Sequence, residues 1–142
     1  MEESSLRRIE KFRESIKKLK KLSTFKSDIF YSDLFLSNAL ERNLQIAVEC
    51  IADIARKIIS SKEWKIPSTY KEIIKTLKRK KVLNKKLSEE MGDLVGLRNI
   101  LVHMYAEVKL DTILDELENH IKTLELTMNK ILKFCKEENI DP

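Results

Sequence analysis

The chain has 142 residues, a formal net charge of +5, 36% charged residues and 42% apolar residues; these proportions suit one folded domain over residues 1–142 and exclude a disordered chain. Two Gly and two Pro in the whole sequence are too few turn formers for the many short strands of a sandwich or barrel. The apolar stretch 29–40 is interrupted by Asp33, so no run reaches the roughly 18 residues of a membrane span, and no membrane association is expected.

The first residues, MEESSLRRIEKF, lack the apolar segment of a secretory signal, and two cysteines, Cys50 and Cys135, are too few for a disulfide framework. A cytoplasmic location is the expectation.

In chain order, Leu6, Ile9, Phe12, Ile16 and Leu19 form a first helical stripe, and Leu36, Leu40, Leu44, Ala47, Ile51, Ile54 and Ile58 form a second, longer one. Pro67 is expected to close that second helix. Ser68 or Thr69 can then cap a short basic helix through Tyr70, Ile73, Ile74 and Leu77. From Asn84 or Ser88 the pattern resumes through Leu87, Met91, Leu94, Val95, Leu101 and Val102, with Gly92 and Gly96 weakening the helix or letting a neighbour approach closely. Finally Leu110, Leu114, Leu117, Ile121, Leu124, Met128, Ile131 and Cys135 alternate spacings of four and three, the seam of one long core-facing helix. Short connections near residues 23–28 and 106–111 favour antiparallel neighbours. The expected fold is an all-α, five-helix up-down bundle.

Charge is uneven along the chain. Residues 1–26 carry +5, residues 27–63 carry −2, residues 64–87 carry +8 and residues 88–142 carry −6. The run Lys78-Arg79-Lys80-Lys81 has the charge to contact nucleic-acid phosphates, and reads equally well as a solvated lysine face without the interleaved aromatics of a stacking platform. No metal-ligand spacing, glycine-rich phosphate loop or Ser-His-Asp grouping is visible. Cys50 and Cys135 fall on apolar stripes and read as buried small hydrophobes, and His120 reads as a surface or boundary histidine.

The segment that carries chemistry is Arg98-Asn99-Ile100-Leu101-Val102-His103-Met104-Tyr105. On a helix turning about 100° per residue, Asn99 and His103 lie about 40° apart and Arg98 and Tyr105 about 20° apart, while His103 sits about 140° around the helix and about 7.5 Å along its axis from Arg98. A long guanidinium can close that gap, so Arg98 and His103 can address one phosphate. Such a set suits RNA cleavage in which a ribose 2′-OH attacks the adjacent phosphorus. An imidazole with an ordinary pKa near ~6.5 exchanges the proton, the guanidinium stabilises the developing charge, and Asn99 orients either partner. No metal cofactor is strictly required. One histidine does not easily serve as both base and acid, which points to a second copy of the site across a twofold dimer. Spacing by itself favours a plainer reading, in which Arg98 and Asn99 are helix-surface polar residues and His103 and Tyr105 sit half-buried near a helix end.

Arg98 through Tyr105 matches the pattern R-x4-H-x-Y and resembles the HepT toxins of the HEPN superfamily. The similarity extends to Glu41-Arg42-Asn43-Leu44-Gln45-Ile46-Ala47-Val48-Glu49, to Asp53-Ile54-Ala55 and to Pro67-Ser68-Thr69-Tyr70. The resemblance implies a homodimeric five-helix ribonuclease without a metal cofactor, the toxin of a toxin–antitoxin pair, with Arg98 and His103 as its catalytic residues. It also implies a minimal nucleotidyltransferase antitoxin as partner, transferring AMP to Tyr105 and so placing a phosphate beside Arg98 in competition with RNA. The alternative within the same resemblance is a non-catalytic module that binds nucleotide or RNA and partners the nucleotidyltransferase. A purely structural helical interaction protein is the remaining class.

Overall fold

A computed structural model describes residues 3–103 and 110–142. Among them the chain forms α1 (Glu3–Leu22), α2 (Ser27–Ser32), α3 (Leu34–Ser61), α4 (Tyr70–Arg79), α5 (Lys85–His103), α6 (Leu110–Asp115) and α7 (Leu117–Glu137). The fold is all-α as expected, and five of these helices follow the five apolar stripes. The count differs because α2 and α6 have six residues each and bury one side chain each, Phe30 and Ile113, too little to imprint a period on the sequence. The seam expected as one helix from Leu110 onward is divided at Glu116, whose ψ of 2° departs from helical geometry.

Helix α3 is the central element and packs against α1, α2, α4, α5 and α7. Its stripe of Leu40, Leu44, Ala47, Ile51, Ile54 and Ile58 is buried to 1% exposure or less. Around it gather Ile9, Phe12, Ile16 and Leu19 of α1, Ile73 and Leu77 of α4, Met91, Leu94 and Val95 of α5, and Leu124, Met128 and Ile131 of α7, in one contiguous core. The 28-residue α3 begins where Asp33 accepts hydrogen bonds from the amides of Phe35 and Leu36. Cys50 and Cys135 are buried free thiols, as their place on the stripes required. Burial, with the charge of Asp53 next in effect, pushes the Cys50 thiol up to about 11.

The helix stops depart from expectation in an instructive way. Helix α3 ends at Ser61, well before Pro67. Glu63 takes a left-handed φ of 57°, and the amides of Glu63 and Trp64 donate back to the carbonyls of Ser60 and Ile59. The same closure recurs after α4 with Lys81 at φ 62° and after α7 with Asn139 at φ 54°. There Val82 donates to Leu77, and Ile140 donates to Cys135. Each turn satisfies the orphan carbonyls and folds an apolar residue back onto the helix. Glycine normally fills this position, and both glycines of this chain lie inside α5 instead. Among the described residues nothing lies near a side-chain position built on Gly92, and only the ammonium of Lys71, at 3.9 Å, approaches that of Gly96; neither glycine admits a neighbouring helix among them.

Candidate functional site

Three helices converge where α5 crosses α3. The apolar face of α5, Leu87, Met91, Leu94 and Val95, is buried and carries Arg98 at its edge, one turn beyond Leu94, so the guanidinium leaves the core toward α3 rather than toward solvent. On α3 a polar ridge of Gln45, Glu49, Asp53 and Arg56 follows the helical period beside the buried stripe. On α4 the first helical residue is Tyr70, placed there because Thr69 caps the helix by accepting from the Glu72 amide at 3.2 Å.

Arg98 is held on several sides. Its Nε and Nη2 donate to Oε1 of Glu49 at 3.3 and 3.0 Å, and its Nη1 donates to Oδ1 of Asn99 at 3.1 Å. Glu49 Oε1 also accepts from Nε2 of Gln45 at 3.0 Å. The guanidinium carbon stands 4.5 Å from the Tyr70 ring centroid, and the guanidinium of Arg56 stands 5.8 Å from it, so the phenol lies against two cations. Burial, then the carboxylate of Asp53, raises the Tyr70 hydroxyl above its ordinary pKa and keeps it protonated at neutral pH. Asp53 is itself paired with Arg8 of α1 at 2.9 Å.

The Arg98–Glu49 pair retains 19% and 27% of its side-chain exposure, dry enough to fix the geometry and open enough for a ligand to reach it. A guanidinium has five N–H donors. Glu49 takes two and Asn99 one, which leaves one hydrogen on each terminal nitrogen without a partner among the described residues. These two form the end-on fork that suits a phosphate.

Of the residues singled out in the sequence, Arg98 and Asn99 are brought into direct contact. His103 closes α5 and is exposed, about 7.5 Å further along the axis than Arg98 and about 140° around the helix from it, so the two are not brought into contact within one chain. Tyr105 lies outside the described residues. Glu49, Gln45, Tyr70 and Arg56 were not singled out for chemistry. Their one local signal is the spacing of Gln45, Glu49, Asp53 and Arg56 along an otherwise apolar helix. His120 is half-buried and burial lowers its pKa; it stands apart from this cluster. Among the described residues no three His, Cys, Asp or Glu side chains converge as a metal site would require.

The profile of the family described as "Ribonuclease HepT-like" matches residues 12–131, a span that includes Glu49, Tyr70, Arg98 and His103. The chain belongs to the HepT-like ribonuclease family. The mRNA nuclease HepT of Shewanella oneidensis is 31% identical over 96 residues, covering 68% of this chain and 72% of that protein. The tri-AMPylated HEPN toxin of Shewanella oneidensis, solved in complex with an MNT antitoxin, superposes with a TM-score of 0.85 at 26% identity, over 94% of this chain and 99% of that one. A toxin–antitoxin structure with AMP-PNP superposes with a TM-score of 0.82 at 26% identity, over 92% and 99% of the two chains. This HepT-like chain therefore shares nearly its whole architecture with that HEPN toxin.

Proposed function

We propose that this HepT-like protein is the toxin of a toxin–antitoxin pair and a metal-independent endoribonuclease, with Arg98 and His103 as its catalytic residues. The observation that carries the reading is the guanidinium of Arg98, fixed by Glu49, Asn99 and Tyr70 with its end-on fork open, one and a half turns before an exposed imidazole on the same helix.

The fork binds the scissile phosphate, and His103 accepts the proton of the neighbouring ribose 2′-OH as that oxygen attacks phosphorus. Charge gathers on the phosphoryl oxygens in the five-coordinate transition state, where a preoriented cation has most effect. The bond to the 5′-oxygen breaks, leaving a 2′,3′-cyclic phosphate and a free 5′-OH once a proton reaches the leaving oxygen. His103 of a second copy supplies that proton, which makes the active species a homodimer. The exposed face of α5 suits such a pairing: Ile100, three residues before His103 on the same face, is 41% exposed, and Gly92 and Gly96 present almost no bulk on that side.

The partner in this reading is a minimal nucleotidyltransferase antitoxin that transfers AMP to Tyr105. Support comes from the toxin of Shewanella oneidensis, which is AMPylated and bound to an MNT antitoxin. An AMP phosphate near Arg98 would occupy the fork that RNA needs. A cytoplasmic location accords with two free, buried thiols.

The test is incubation of the purified protein with single-stranded RNA in EDTA. Cleavage leaving cyclic phosphate ends, abolished in Arg98→Ala and in His103→Ala, is the expected result. Binding of RNA without cleavage by the unaltered protein would instead identify a non-catalytic module. Expression in cells should arrest growth, and the Arg98→Ala form should not.

A further inference from the structure

The segment of highest charge density, residues 64–87 at +8, folds into a particular shape. The left-handed turn at Lys81 carries the chain from the end of α4 to the start of α5. It opens a cavity of about 470 Å³ lined by Lys78, Lys81, Val82, Leu83, Asn84, Lys85 and Lys130. Four lysines from α4, the turn, α5 and α7 thus line one concavity whose lining includes no carboxylate. Asn84 turns its Oδ1 to cap the Leu87 amide at 2.8 Å. Glu89 is 4.0 Å from Lys85 at the rim, whereas Lys78, Lys81 and Lys130 have no ion pair among the described residues.

The cup is also connected to the site. Lys71, Lys75 and Lys78 recur at spacings of four and three along one side of α4. Lys71 points its ammonium at Gly96 of α5, within 3.9 Å of where a side chain there would begin. A line of lysines, of which Lys75 is paired with Glu72 at 3.4 Å, therefore runs along α4 from beside Gly96 of α5 toward the cup. From Lys85 to Arg98 the helix advances roughly 20 Å, a distance that one RNA strand spans only with several nucleotides.

We infer that the Lys78–Lys81–Lys130 cup is a distal phosphate subsite that grips the RNA backbone several nucleotides from the phosphate held by Arg98. This deepens the ribonuclease reading and rests on it for the identity of the ligand. Lysine ammoniums are point charges without the planar fork that reads a base edge. The cup would therefore hold RNA of any sequence and set a minimum length.

The test measures binding of fluorescent oligouridylates of 4, 6, 8 and 12 nucleotides to the full chain carrying His103→Ala, across a salt series. Affinity should rise steeply between 4 and 8 nucleotides. In the triple variant Lys78→Gln, Lys81→Gln, Lys130→Gln that rise should vanish. The slope of log K against log salt should fall by about 2, at roughly 0.7 per phosphate contact on a single strand. Should the triple variant melt abnormally, Lys130→Gln alone, on the exposed face of α7, should lower the slope by about 0.7. Unchanged length dependence and slope would overturn the inference. So would unchanged RNA binding together with weakened binding of the nucleotidyltransferase, which would assign the cup to an acidic protein surface. Cleavage by the chain with His103 intact is scored separately: its absence would count against the ribonuclease reading alone, and its presence would not rescue a cup that binds nothing.

Discussion

The guanidinium of Arg98 lies 4.5 Å from the ring centroid of Tyr70, and this contact joins the start of a short basic helix to the residue proposed to meet the scissile phosphate. The ring closes one face of the guanidinium while Glu49 and Asn99 take its side donors, so Arg98 is fixed in its plane. A partly desolvated cation–π contact is worth about 1–2 kcal/mol. Tyr70→Phe keeps the ring and should cleave RNA at close to the unaltered rate. Tyr70→Ala should lose roughly 5- to 30-fold in kcat, in keeping with that energy. Steady-state kinetics on one RNA, with melting temperatures as a control, separates this from general destabilisation.

Glu49 has two opposing effects on the same guanidinium. It orients Arg98 through two hydrogen bonds to one oxygen, and it places a negative charge where the phosphate arrives. Glu49→Gln keeps an acceptor and removes the charge. RNA should then bind several-fold more tightly, because a like charge no longer opposes the phosphate, while kcat falls as the weaker, uncharged contact loosens the arginine. Binding measured in a His103→Ala background and turnover measured without it resolve the two effects. If both parameters stayed at their original values, Glu49 would have no part in the site.

Stability should depend on pH through His120. Burial lowers its pKa below the ordinary histidine value, against the opposing pull of Glu116 and Asp93. In that window the unfolded chain binds the proton more readily than the folded one, so stability falls as pH drops through the ordinary histidine range, near ~6.5, toward the lower folded value. Burial also raises the Glu41 carboxyl, an effect of opposite sign that is common to both proteins in a pairwise comparison. His120→Gln should therefore lose less melting temperature between pH 7.5 and 5.5 than the unaltered chain. Parallel losses in the two proteins would contradict this.

The core of α3 should be intolerant of truncation. Ile54 is fully buried within the central helix, and Ile54→Ala should cost about 2–5 kcal/mol, or roughly 5–15 °C in melting temperature for a chain of this size. Its activity at low temperature should persist, since Ile54 belongs to the packing and not to the Arg98 cluster. Differential scanning calorimetry with a cleavage assay at 20 °C checks both expectations.

The five long helices were legible in the sequence because burying one stripe of a helix leaves a period of 3.6 in the chain, and the stripes of α1, α3, α4, α5 and α7 carry it. The relative placement of Arg98, Asn99 and His103 on α5 was legible for the same local reason, since residues within two turns of one helix have relative positions that no packing alters. The helix stops were not. Glu63, Lys81 and Asn139 adopt the left-handed turn that glycine usually marks, and an ordinary residue there looks like the continuation of its helix. Nor was the setting of Arg98. Glu49 lies 49 residues earlier in the chain, and Tyr70 stands on a third helix. Only the packing of α3, α4 and α5 around a shared core decides that a carboxylate and an aromatic ring enclose one guanidinium, because contacts between helices depend on how apolar faces interlock across the core, and that interlocking leaves no period along the chain.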